Sequence, residues 1–157
     1  MTDRMPPRIG VFTKWPEGRE TLASVEAAGK SQGVSVRLLE IVRLHCSVIN
    51  SCGFCIAMHS EFCREQGVTE EAIDALKRRS PIGRFGDAEL SALALAEEMT
   101  CLGDPKAMSF AVNDAKKHFG GQELSVICYQ IAVINAWNRL AIADGLEMEH
   151  FETSKSS

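Results

Sequence analysis

Cys52, Cys55 and His59 fall within eight residues, CGFCIAMH, at separations of three and four. On a helix those separations stack all three side chains on one face. Upstream, Glu40, Arg43, Ser47 and Asn50 repeat at three, four and three, which draws one polar stripe down an otherwise apolar helical segment. A thiol, an imidazole and a carboxylate are the parts of an activated-thiol site, in which a base takes the thiol proton and an acid orients the base.

Only thiolate attacks a peroxide or a disulfide, and an ordinary thiol near pKa ~8.5 is mostly protonated at neutral pH. A helix N-terminus lowers that value through its unpaired N–H groups and its dipole, and both cysteines lie in the first turn of the segment they open. His59 is four residues from Cys55 but seven from Cys52. The spacing therefore makes Cys55 the nucleophile and leaves Cys52 to close a disulfide on its sulfenic acid.

Rival uses of these residues are a metal site and plain packing. Cys52, Cys55, His59 and Cys63 share a face, but their row spans about 16 Å at ~1.5 Å per residue, more than one tetrahedral ion covers. No second close Cys/Cys or Cys/His pair completes a zinc set, so no metal is expected. Cys46, Cys101 and Cys128 sit among apolar neighbours and read as small core residues. His118, in KKHFGG, reads as a charge at a helix end, Trp137 as packing, and Asn138 and Arg139 as groups bonding across helices or subunits.

The elements that must position these groups are helical. Residues 18–33 read as a first helix. Residues 34–50 and 51–67 form an antiparallel hairpin that turns near Ser51, a candidate N-cap, and stops at Gly67. Counting out from the turn sets Ser47 opposite Cys55 and Arg43 opposite His59, with Glu40 about one turn from His59. Thr69 caps a helix over 69–79, residues 80–86 make a loop, and Asp87 caps the next helix. Pro105 opens another in its first turn, and residues 121–145 form a long last one, with a frayed tail at 152–157. The apolar run LSVICYQIAVINAWNRLAIA is broken by Gln130, Asn135, Asn138 and Arg139, so it reads as a buried helix rather than a membrane span. No strand-like alternation occurs. The fold expected is all-α, a helical bundle built around the Cys-x-x-Cys hairpin, in one domain over 1–157 with its core at 34–145.

Composition bounds the rest. The 157 residues are 45% hydrophobic and 24% charged with a formal net charge of -4, an ordinary globular balance with no basic face for nucleic acid. The N-terminal residues carry no apolar run of a secretory signal, which points to the cytoplasm. Six cysteines in that reducing compartment point to catalysis or redox chemistry before structural disulfides.

The stretch LLEIVRLHCSVINSCGFCIAMHSEFCREQGV resembles the core motif of the alkylhydroperoxidase D-like branch of the carboxymuconolactone decarboxylase family. The motif is a Glu, eleven residues, Cys, two residues, Cys, three residues and His; Glu40, Cys52, Cys55 and His59 match it without a gap. INAWNRLAIA is similar to the family's last core helix. The resemblance implies an oligomeric all-helical subunit, a homotrimer or homohexamer, and a cofactor-free peroxidase that reduces organic hydroperoxides. It makes Cys55 the peroxide-attacking residue, Cys52 its partner, His59 the proton acceptor and Glu40 the end of the relay. An external dithiol, from a lipoyl or thioredoxin-like protein, would reset the pair. Some members carry a histidine between the cysteines; here Gly53 and Phe54 stand there, without that group. The alternatives are a redox-sensing or electron-transfer module without turnover and, more distantly, a decarboxylase-like enzyme, for which the cysteine pair has no use.

Overall fold

The segment that orders the molecule is α3 (Val36–Ile49), and it does so because it is apolar on almost its whole circumference. Leu39, Ile41, Val42 and Leu44 are all fully buried, and each such side chain stabilises the fold by about 1.5–3 kcal/mol. Those side chains point in different directions, so α3 needs partners on several sides. It packs against α4 (Gly53–Glu65), α5 (Glu70–Lys77), α6 (Asp87–Cys101) and α8 (Gly121–Asp144). The computed structural model describes residues 6–154. The remaining helices there are α1 (Val11–Lys14), α2 (Pro16–Lys30), α7 (Pro105–Ala115) and α9 (Met148–Ser154), and among the described residues there is no strand. The all-α expectation holds.

Two apolar clusters flank α3. One joins Leu39, Val42 and Cys46 to Leu95 on α6 and Ile127, Ile131 and Ile134 on α8. The other joins Ile41 and Leu44 to Cys63 on α4, Ile73 and Leu76 on α5 and Leu93 on α6. The long apolar helix α8 has the length and hydropathy of a membrane span. Its buried polar residues are nonetheless engaged within the fold: Asn138 donates to Ser47 Oγ on α3 and Gln130 reaches α2 and α3.

Several sequence expectations shift by a residue or more. The first helix begins earlier, at Pro16, and ends at Lys30 after the short α1. Thr69 caps α5 as expected, accepting from Ala72 N–H at 3.3 Å. Asp87 is the first helical residue and not the cap; Gly86 precedes it, and its N–H donates to Glu89 Oε2 at 3.1 Å. Ser51 is not a cap either. It takes the left-handed conformation, φ 57°, that reverses the chain between α3 and α4, and Cys52 becomes the cap. Residues 152–154 of the expected frayed tail lie in α9, while 155–157 lie outside the described residues. The frayed reading was wrong for residues 152–154, which are too short a stretch to show helical periodicity by themselves. That stretch becomes helical by packing on α4.

Residues 8–11 are clamped to the end of α8. Asp144 accepts from the backbone N–H of Ile9 and Gly10, both at 2.7 Å, and of Val11 at 3.2 Å. Burial pushes the Asp144 carboxyl up, but these three donors outweigh it and hold it below the usual range. The clamp is therefore at full strength above the ordinary carboxylate range and is lost as pH falls through the depressed value. In Asp144→Ala, the amides of residues 9–11 should exchange at least about tenfold faster with solvent deuterium while α3 amides stay protected. Unchanged protection at residues 9–11 would refute the clamp.

Candidate active site

Cys52 and Cys55 stand at the N-terminus of α4. Cys52 is the N-cap, its sulfur accepting from Cys55 N–H at 3.4 Å, and the two are joined as a disulfide with Cα atoms 5.3 Å apart. The pair is buried, at 0% and 2% exposure, among Ala141, Phe12, Phe54 and Leu146. Part of this cover comes from α9, where the Phe151 ring meets Phe54 edge-on at 5.9 Å. Gly53 lies against the start of the same helix, 3.5 Å from Met148 N as measured to the position a Cβ would take.

One turn beyond Cys55, His59 is buried and its Nδ1 lies 2.8 Å from Glu40 Oε2. The other Glu40 oxygen, Oε1, accepts from Arg43 Nη1. Glu40 is 3% exposed, and burial by itself pushes its carboxyl up. The hydrogen bond and charge of His59, then those of Arg43, outweigh that and hold it below its ordinary value of 4.5. An ionised carboxylate can only accept, so Nδ1 carries the hydrogen toward it. In the neutral ring, Nε2 then holds the lone pair. Nε2 is buried and has no hydrogen-bond partner among the described residues, which leaves it as the ring's free basic site.

Arg43 does not lie across from His59 as a partner. Its guanidinium turns to Glu40 and, through Nη2, to Gln130 Oε1 on α8, with Glu26 Oε1 on α2 at 3.7 Å. Gln130 Nε2 donates to the carbonyl of Val25 at 3.2 Å, and Trp137 Nε1 donates to Glu26 Oε2 at 3.1 Å. Ser47, expected opposite Cys55, instead donates to the Arg43 carbonyl and accepts from Asn138. Asn50 donates to Asn135 and Asn138. The polar stripe thus divides: its Glu40 end serves His59 and its Asn50 end ties α3 to α8. Asn138 bonds across helices as expected, while Arg139 bonds back to Asn135 on its own helix.

Sequence reading missed Glu26 and Gln130, which hold Arg43. Gly29 was the available signal, though not one with a readable meaning: a Cβ there would sit 2.1 Å from Gln130 Nε2. The other cysteines separate by environment. Burial pushes the Cys46 and Cys63 thiols up to about 12, so neither supplies thiolate. Cys101 is exposed, contrary to its core reading, and Cys128 is half-buried.

Fold and site together define a helical protein with a buried cysteine pair at a helix N-terminus and a carboxylate–imidazole pair one turn away. The chain belongs to the carboxymuconolactone decarboxylase family, whose model matches residues 15–98, and within it to the alkylhydroperoxidase D-like proteins. The uncharacterised protein YdfG of Bacillus subtilis is 27% identical over 141 residues, covering 90% of this chain and 96% of its own. A crystal structure from Agrobacterium tumefaciens, of a protein of unknown function described as a candidate antioxidant defence protein AhpD, superposes with a TM-score of 0.81. It is 28% identical and covers 90% of this chain and 97% of that one. An uncharacterised peroxidase-related protein from Ralstonia eutropha, described as an alkylhydroperoxidase AhpD core, shares the fold at a TM-score of 0.74. It is 17% identical, with 90% and 76% of the two chains covered.

Because Glu40 is held ionised on folding, its contribution to stability is complete above the unfolded carboxyl value and is lost as pH falls through the depressed one. The stability of Glu40→Gln measured by urea unfolding should fall less steeply than wild type across that acid range; parallel curves would contradict the coupling. Gly29→Ala should displace Gln130 and cost about 1–3 kcal/mol in the same assay, the penalty of leaving buried polar groups unpaired.

Proposed function

We propose that the protein is a thiol-dependent peroxidase that reduces organic hydroperoxides, with Cys55 as nucleophile. The observation that carries this reading is the Glu40–His59 hydrogen bond one helical turn from a cysteine pair close enough to bond. His59 Nε2 takes the Cys55 proton, and the Glu40 carboxylate stabilises the imidazolium that results. The Cys55 thiolate attacks the terminal oxygen of ROOH; the O–O bond breaks, the alkoxide takes a proton to leave as ROH, and Cys55 becomes a sulfenic acid. The alkoxide's proton is the one His59 took from Cys55; His59 then takes the Cys52 proton as Cys52 attacks the sulfenic sulfur, and returns it to the departing hydroxide, which leaves as water. The disulfide then accepts two electrons and two protons from an external dithiol.

The N–H bond to the Cys52 sulfur supports its part, since a helix N-terminus favours thiolate on the resolving residue. The neighbours described as AhpD-type or peroxidase-related proteins agree with the reading. On it the protein works in the cytoplasm as an antioxidant enzyme, assembles as a homotrimer or homohexamer, and takes its electrons from a lipoyl or thioredoxin-like donor.

Purified protein should consume cumene hydroperoxide catalytically with excess dithiol. Cys55→Ser and Cys52→Ser should each lose at least about a hundredfold, and His59→Ala about 10²–10⁴-fold, the usual worth of a positioned base. A sulfenic-acid trap after one equivalent of peroxide should label Cys52→Ser but not Cys55→Ser. Labelling of Cys55→Ser instead would reverse the two roles. Oxidation of the pair once, without turnover, would replace the peroxidase by a redox sensor.

A further inference from the structure

Beside the site described above, α1, the start of α2 and the last turns of α8 line an open groove of about 850 Å³. This is within the range of sites that hold small organic ligands. Its walls are mostly apolar, with Val11, Phe12, Trp15, Leu22, Trp137 and Leu140 among them, and among the described residues the charged side chains lining it are Lys14 and Arg19. Both are cations. Among the described residues Arg19 has one loose ion pair, 3.7 Å to the exposed Glu20, of the kind that contributes little and exchanges readily.

The walls are fixed in place. Phe12 stacks on Trp137 with ring centroids 6.0 Å apart. The Trp15 indole lies so close over Gly18 that a Cβ there would stand 2.4 Å from the ring. Trp15 itself is 69% exposed, which is costly for the largest apolar side chain unless something covers it. Two of these residues also reach the thiol site. Phe12 packs on Cys52, Cys55 and Ala141, and Trp137 donates to Glu26, the carboxylate beside Arg43.

We propose that this groove holds the hydrocarbon chain of an anionic long-chain substrate, a fatty-acid hydroperoxide, with its carboxylate at Lys14 and Arg19 and its mid-chain hydroperoxide directed past Phe12 to Cys55. The proposal rests on the peroxidase reading for the reacting group and on the groove's own shape and charge for the rest. An apolar chain with one anionic end matches a described lining that is mostly apolar and whose charged side chains are both cations; Arg19 has only its loose pair to Glu20, whereas Lys14 also feels the Asp144 carboxylate. A second copy of this chain laid in the groove is the main competing occupant.

The chain has two tryptophans, and both line this groove, so intrinsic fluorescence reports its occupancy without any turnover. Titration of full-length protein with dodecanoate should give a saturable change, with dodecanol binding several-fold more weakly. Charge reversal in the Lys14→Glu/Arg19→Glu double variant should raise the dodecanoate Kd about tenfold. In parallel, kcat/KM for linoleic acid hydroperoxide relative to tert-butyl hydroperoxide should favour the fatty acid in wild type and fall in the double variant.

No saturable signal, equal binding of dodecanol, or a Kd indifferent to charge reversal would overturn the assignment. So would tryptophan fluorescence that follows protein concentration and not dodecanoate, which would place a second copy in the groove. Turnover of tert-butyl hydroperoxide without dodecanoate binding would remove the groove proposal alone. Dodecanoate binding with no hydroperoxide turnover of any kind would remove the peroxidase reading, and the fatty-acid hydroperoxide with it.

Discussion

The structure turns on a carboxylate placed where water cannot reach it. Glu40 sits in the middle of the most buried helix, and an unpaired charge there would cost several kcal/mol after relaxation. Its two oxygens are divided between Arg43 and His59, so each partner is held by the same group that needs it. Arg43, equally buried, passes the requirement outward to Gln130 and Glu26. One buried charge thereby fixes the relative positions of α2, α3, α4 and α8. The orientation of the imidazole follows from that fixing, which is why the carboxylate–imidazole pair is held rigidly even though its two members come from separate helices.

Much of this was legible in the residues. The hairpin could be read because its two limbs are long, strongly patterned and joined by a short turn, so that counting outward from residue 51 brings Glu40 within reach of His59. The count was less good for Arg43 and Ser47, since Ser47 found its partners in the Arg43 carbonyl and in Asn138 on α8 and not across the hairpin. Arg43 also had a better alternative than the histidine, in a buried carboxylate one turn away on its own helix. That choice depends on competing energies and not on spacing.

What stayed hidden was set by contacts remote in sequence. Gln130 and Glu26 join Arg43 across 87 and 17 positions, and nothing in the local pattern marks either one. The capping errors have a different origin: at residues 51–52 and 86–87 two neighbours both suited the role. The choice fell to whichever backbone conformation the chain reversal demanded. The short α1 and α9 were missed because helices of four and seven residues have too little periodicity to read, and their helicity comes from docking.

The cysteine pair with its carboxylate and imidazole neighbours, and most of the cover over it, are drawn from different parts of the chain. Glu40, Cys52, Cys55 and His59 lie within twenty consecutive residues, whereas, apart from Phe54, the side chains that close over the sulfurs come from residue 12 on one side and residues 141–151 on the other. During synthesis the hairpin can therefore form soon after its own residues leave the ribosome, while the lid arrives some ninety residues later. For that interval the two thiols are open to any oxidant or disulfide in the surroundings. Until residues 141–151 have been made, the pair lacks much of the packing that leaves it 0% and 2% exposed in the folded chain.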